Sequence, residues 1–209
     1  MELILVRHGI PVKVEGNVGE PPADPPLSEV GVKEAEAIGR WLAEEEVDLV
    51  VASPLRRARE TAAPIAARHR LEVTIEPDIA EFDKDSPIYI PLEELKKVND
   101  PRWIALAEDR WHELAGVDRD EFKGRVVSAI DRVVADNPGR RVVIVAHGGV
   151  INMYTGKVLG LQRDLWFEPA YCSISRILAS RHGISTIGSL NETAHLRGLL
   201  TAEAVTGET

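Results

Sequence analysis

The chain has 209 residues, 44% of them hydrophobic and 28% charged, with a formal net charge of -9 and a single cysteine. That is enough chain for one globular unit with a sizeable core. The acidic balance argues against a basic nucleic-acid face or anchoring to an anionic membrane, and one cysteine excludes an internal disulfide and a Cys-rich zinc site.

No segment is apolar for long enough to span a membrane, and no basic stretch precedes the first apolar run, so the cytoplasm is the expected compartment. Residues 3–6 (Leu-Ile-Leu-Val) read as a short buried parallel strand, with Arg7, His8 and Gly9 directly after it. A loop rich in Pro and Gly comes next over residues 10–27, long for a compact domain. Ser28 reads as the N-cap of a helix to about Glu46, with Ala35, Ile38 and Leu42 as its apolar face. Residues 48–52 read as a second strand. Ser53 and Pro54 suggest an N-cap followed by a first-turn proline, and the helix they open should reach about Arg70, with Ala58, Ala62 and Ile65 inward. Pro64 inside it predicts a kink or an early break. Residues 72–75 read as a third strand.

Between residues 77 and 117 the strand–helix alternation stops. Prolines at 77, 87, 91 and 101 divide the segment, which reads as an inserted helical cap with helices at 92–98 and 102–114. Trp103 and Trp111 would share one face of the second, either lining an apolar site or packing the cap on the core. A helix at 118–136 comes after the cap, then the most apolar strand, 141–146, then His147, Gly148 and Gly149 opening a helix to about Leu161. Residues 173–179 and 184–190 read as a late hairpin, and the tail from about 200 to 209 as frayed. His112 and His182 are expected on the surface, as are Glu34, Glu36, Glu44 to Glu46, Arg56, Arg59 and Glu60; His195 suggests a structural hydrogen bond. The alternation predicts an α/β fold: a three-layer α/β/α sandwich around a mostly parallel sheet, one domain over 1–209 with the cap at about 77–117.

In a parallel sheet, the residues just past each strand gather at the carboxyl edge, where sites are built. Here that collects Arg7 and His8, then Ser53 with Arg56 and Arg57, then Glu81, then His147 with Gly148. Arginines clamp phosphate oxygens, a neutral histidine can accept a phosphoryl group, and a charged second histidine and N–H groups at a helix start can donate to the same oxygens. A protonated carboxyl can supply the proton a leaving oxygen needs.

Arg7-His8-Gly9, Leu27-Ser28-x-x-Gly31, Ser53-Pro54-Leu55-x-Arg57-Ala58-x-x-Thr61-Ala62 and His147-Gly148-Gly149 resemble the histidine phosphatase superfamily, in its branch of cofactor-dependent phosphoglycerate mutases and broad-specificity phosphatases. Residues 191–196 resemble the family's C-terminal segment. The resemblance implies His8 as the phosphorylated nucleophile, Arg7, Arg57, His147 and Gly148 as phosphate binders, and Glu81 as proton donor, with Asp83 as the alternative carboxylate. It implies a small-molecule phosphate ester as substrate, no cofactor and no metal; a homodimer stays open. Ile10, Pro11 and Val14 stand where the family pattern has polar residues, which favours a phosphatase over a mutase; a non-catalytic phospho-ligand binder is the third alternative. The apolar content of the cap hints at an apolar or bulky leaving group.

Overall fold

The fold, a computed structural model, describes residues 1–16, 19–114, 116–180 and 183–199; His182 and the tail beyond residue 199 lie outside them. Among the described residues the strands are β1 (Glu2–Arg7), β2 (Leu49–Ala52), β3 (Val73–Ile75), β4 (Arg141–Ala146), β5 (Ile174–Ala179) and β6 (Ser185–Glu192). The helices are α1 (Glu29–Leu42), α2 (Arg56–His69), α3 (Leu92–Lys97), α4 (Pro101–Ala107), α5 (Arg119–Asp136) and α6 (Gly148–Leu159). One sheet runs in the order β3-β2-β4-β1-β5-β6. Its first four strands are mutually parallel, while β5 and β6 form an antiparallel hairpin against β1. The fold is therefore the mixed α/β sandwich that the alternation predicted.

Alternation along the strands decides which layer each residue joins. Leu3 and Leu5 of β1 and Val142 and Ile144 of β4 point to the side of α5 and α6, packing with Phe122, Val126, Ile130, Val150 and Ile151. Ile4, Val6, Val143 and Val145 point the other way, onto Ile38, Leu42, Ala58, Ala62 and Ile65 of α1 and α2. Both faces of β1 and β4 are thus buried, which is why these strands read as unbroken apolar runs. The register makes three strand ends level: Arg7 lies opposite Ala146, and Ala52 opposite Val145. His8, Ser53 and His147 leave the sheet side by side.

Several local expectations are corrected. Ser53 does not cap α2; that helix starts at Arg56 after an extended Leu55, and the Ser53 hydroxyl is committed elsewhere. Pro64 does not break α2, which is continuous to His69. The proline removes a single hydrogen bond, and the helix is held by its buried Ala58, Ala62 and Ile65 and by the close seat of Pro64 on Gly39 of α1. The single helix expected over 102–114 is two pieces: α4 ends at Ala107, Asp109 takes a left-handed conformation (φ 56°), and Trp111–Glu113 forms a separate 3-10 turn. The two tryptophans part company accordingly. Trp111 is buried edge-on against Phe82 and beside Phe122, whereas Trp103 lies under the Lys96 ammonium. Glu34 is not a surface residue: it is buried and accepts the Ile10 N–H at 2.8 Å. Glu60, beyond its exposed pair with Arg56, accepts the Leu27 N–H at 2.7 Å. These two carboxylates anchor both ends of the 10–27 loop, whose middle pairs with the cap through Val14 and Tyr89. His112 is exposed, and His195 bonds the Cys172 carbonyl at 2.9 Å, as expected.

Candidate active site

The carboxyl edge opens into a cavity of about 530 Å³ bounded by the cap, with Arg7, His8, Arg57, Glu81, Asp83, His147 and Gly148 at its floor. His8 and His147 are both buried, with ring centroids 5.0 Å apart. The His8 Nδ1 lies 2.7 Å from the Gly9 carbonyl oxygen. A carbonyl oxygen can only accept, so neutral His8 carries its proton on Nδ1 and its lone pair on Nε2. Burial, then the charges of Arg57 and Arg7, hold the His8 imidazole well below the usual histidine range. The loop that makes this bond is tight: the Gly9 N–H donates to the Thr61 hydroxyl, and a Cβ on Gly9 would come within 2.7 Å of the Gly31 carbonyl oxygen.

His147 bonds the Ser53 hydroxyl through Nε2 at 2.7 Å, and its Nδ1 is buried without a partner. The Ser53 hydroxyl also accepts the Leu55 N–H at 3.3 Å. Burial first, and then the neighbouring Arg57, push the His147 imidazole well below the usual histidine range. A neutral ring with Nε2 accepting from Ser53 still offers one donor, Nδ1–H.

The two arginines are built alike. Arg57 is 1% exposed and lies over the Tyr89 ring, 4.5 Å from its centroid. Arg7 lies over Tyr171 at 3.8 Å and donates through Nη1 to Glu93 of α3 at 2.6 Å and to the Pro169 carbonyl at 2.7 Å. Tyr171 also touches His8 (5.6 Å between rings) and donates to Glu93 at 3.1 Å. The Asp83 carboxylate lies 3.6 Å from Arg57, beyond hydrogen-bond reach. Four of the nine buried side-chain polar atoms that lack a hydrogen-bond partner among the described residues sit here: Arg7 Nε, Arg57 Nε, His147 Nδ1 and Asp83 Oδ1. The Nε–H donors of both guanidinium groups are thus left for an incoming anion. The N-terminus of α6 adds its partial positive charge.

Glu81 is buried, its Oε2 accepting the Gly149 N–H at 2.8 Å and its Oε1 the Phe82 N–H at 3.1 Å. A Cβ at position 149 would lie 2.3 Å from Oε1, so a side chain there would displace the Glu81 carboxylate from this seat. The Gly149 N–H at the start of α6 is thus spent on Glu81, while Gly148 stands at the head of that helix. Burial first, and then the Asp83 carboxylate, raise Glu81 to about 7 against the two backbone N–H groups and Arg57. Arg125 fixes the segment from behind by donating to the carbonyls of Asp78, Ala80 and Glu81. The edge thus gathers Arg7, His8, Ser53, Arg57, Glu81, His147 and Gly148, to which strand order pointed, and adds Tyr89, Glu93 and Tyr171. Arg56 stays outside, paired with Glu60 on the exposed face of α2.

An α/β sheet with two imidazoles, two guanidinium groups and a helix N-terminus at one edge defines the class of proteins that hold phosphate groups there. The chain belongs to the histidine phosphatase superfamily (branch 1), whose family model matches residues 3–193. It is 30% identical over 172 residues to the glucosyl-3-phosphoglycerate phosphatase of Mycolicibacterium vanbaalenii, covering 78% of this chain and 76% of that protein. It is 31% identical over 150 residues to an uncharacterised protein of Mycobacterium tuberculosis, covering 68% and 70%. Among solved structures, a putative alpha-ribazole-5'-P phosphatase from Escherichia coli superposes with a TM-score of 0.72 at 25% identity, covering 92% of this chain and 97% of that one. The fold is also that of a mycobacterial glucosyl-3-phosphoglycerate phosphatase (TM-score 0.73, 24% identity, covering 92% and 99%).

Proposed function

We propose that the protein is a phosphomonoesterase that works through a phosphohistidine on His8. The observation that carries this is the Nδ1–H bond of His8 to the Gly9 carbonyl, which leaves the Nε2 lone pair free on a floor of under-satisfied cations. Arg7, Arg57, the Nδ1–H of His147 and the Gly148 N–H hold the phosphoryl oxygens and take up the charge that builds during transfer. The His8 Nε2 attacks phosphorus, the bond to the ester oxygen breaks, and the Glu81 proton goes to that oxygen, releasing the alcohol. Water then attacks the phosphohistidine and gives a proton to the Glu81 carboxylate. The P–N bond breaks, its electron pair returns to Nε2, and inorganic phosphate leaves. Asp83 is not the donor in this scheme; it partners Arg57 and raises Glu81. Glu93 and Tyr171 position Arg7. Ile10, Pro11 and Val14 put no polar side chain at those three loop positions to grip a hydroxylated acid, which favours hydrolysis over mutase transfer.

Rapid-quench turnover with a ³²P-labelled monoester tests the scheme. Protein-bound label should appear that is acid-labile and alkali-stable, on His8, with free phosphate released in step with its decay and the rate unchanged by EDTA because the arginines supply the positive charge. Turnover with no bound label would overturn the covalent route.

A further inference from the structure

We infer that the ester cleaved here has an uncharged, largely apolar alcohol as its leaving group. The inference rests on the phosphatase reading and concerns the part of the cavity that reading does not use. Above the floor, the walls are Phe82, Ile88, Ile90, Leu92, Leu95 and Leu106, from the 81–90 segment and the cap helices. Among the described lining residues, the cations other than Arg7 and Arg57 come down to Arg102. That guanidinium is held fork-to-fork by Asp100, with both bonds at 2.9 Å. The lining acids Asp85 and Glu113 are each paired with a neighbouring cation, Lys84 and Arg110. A leaving group with its own carboxylate or phosphate would meet no unpaired cation among the described lining residues above the floor.

Hydroxyl groups fare little better. The Ser86 side chain is used up on Ile88, donating to its carbonyl at 2.9 Å and accepting its N–H at 3.2 Å. Tyr89 is buried, with its ring under Arg57. A sugar seated here would lose water from several hydroxyls and find few partners, which is penalised. A cavity of about 530 Å³ is also far larger than a phosphoryl group needs and falls in the range of sites that enclose a drug-sized ligand. Apolar walls of that extent reward apolar area, and an aliphatic alcohol is a poor leaving group, which suits a carboxyl kept protonated near neutrality.

The test compares kcat/KM for ethyl, butyl and hexyl phosphate, 3-phosphoglycerate, glucose 6-phosphate and p-nitrophenyl phosphate. Each methylene buried against the wall should raise kcat/KM by about threefold, and hexyl phosphate should exceed both polar esters by at least about tenfold. In an Ile90→Asn variant the ratio of hexyl to ethyl phosphate should fall by about tenfold. Turnover with no dependence on chain length, or a preference for either polar ester over hexyl phosphate, overturns this inference and leaves the phosphatase reading standing. Turnover of none of the esters, p-nitrophenyl phosphate included, overturns both.

Discussion

Replacing His8 by Ala is expected to lower kcat on the order of 10⁵-fold or more while leaving the protein folded. The size comes from the geometry. A neutral imidazole has a single lone pair, and on His8 the Gly9 carbonyl fixes it at Nε2 by holding the proton on Nδ1. His147, although its ring is only 5.0 Å away, does not replace it, because its Nε2 is engaged with the Ser53 hydroxyl. Water at the same spot lacks both the pre-paid position and the nucleophilicity. Binding should survive far better than turnover, since the cations are untouched: vanadate or phosphate should still bind the variant, within about tenfold of the parent. Circular dichroism and thermal unfolding serve as the fold control. Retention of more than about 1% of the parental kcat would place the nucleophile elsewhere.

The parts of the site legible in the sequence are those that come directly after a parallel strand. Buried parallel strands announce themselves as short apolar runs, and the level register of β1, β2 and β4 turns chain position into spatial neighbourhood. Arg7, His8, Arg57 and His147 can be collected on that rule alone. Tyr171 cannot, because the rule covers only residues at the trailing ends of strands. β5 runs antiparallel to β1, so its leading end reaches the same edge, and Tyr171 stands just before it. An antiparallel hairpin brings its preceding residues to the site, and that is the signal by which Tyr171 can be found. Glu93 offers no such signal, since an acidic residue in the first turn of a short helix is ordinary dipole complementarity. Its bond to Arg7 is a tertiary event spanning the cap and the sheet. Ser53 is conspicuous but ambiguous, because Ser-Pro before a helix suits a cap as well as it suits a hydroxyl turned back on His147. The break of the 102–114 helix has the same origin: periodicity sees two tryptophans eight residues apart on one face, while the fold needs one in the core and the other under Lys96.

A Glu81→Gln variant should divide substrates by their leaving groups. For alkyl phosphates kcat should drop about 10²–10⁴-fold, the usual worth of a positioned proton donor, whereas p-nitrophenyl phosphate, whose phenolate leaves without a proton, should lose only a few-fold in the first step. The pH profile carries the sharper information. In the proposed scheme, activity needs His8 neutral and Glu81 protonated. The first condition fails only well below the usual histidine range, because burial and two arginines oppose the imidazolium. The second fails as pH rises through about 7, where burial and Asp83 have raised the Glu81 carboxyl. The alkyl phosphatase activity should therefore hold on the acid side of neutrality and fall tenfold per pH unit above about 7, and that basic limb should vanish in Glu81→Gln. Asp83→Asn separates the two carboxylates. Removing the like charge next to Glu81 lowers its pKa, so the basic limb should move to lower pH with the donor still in place. Were Asp83 the donor, its amide variant would instead lose the limb and the alkyl activity together, and the order of roles drawn from the buried Glu81 and the Arg57-paired Asp83 would have to be reversed.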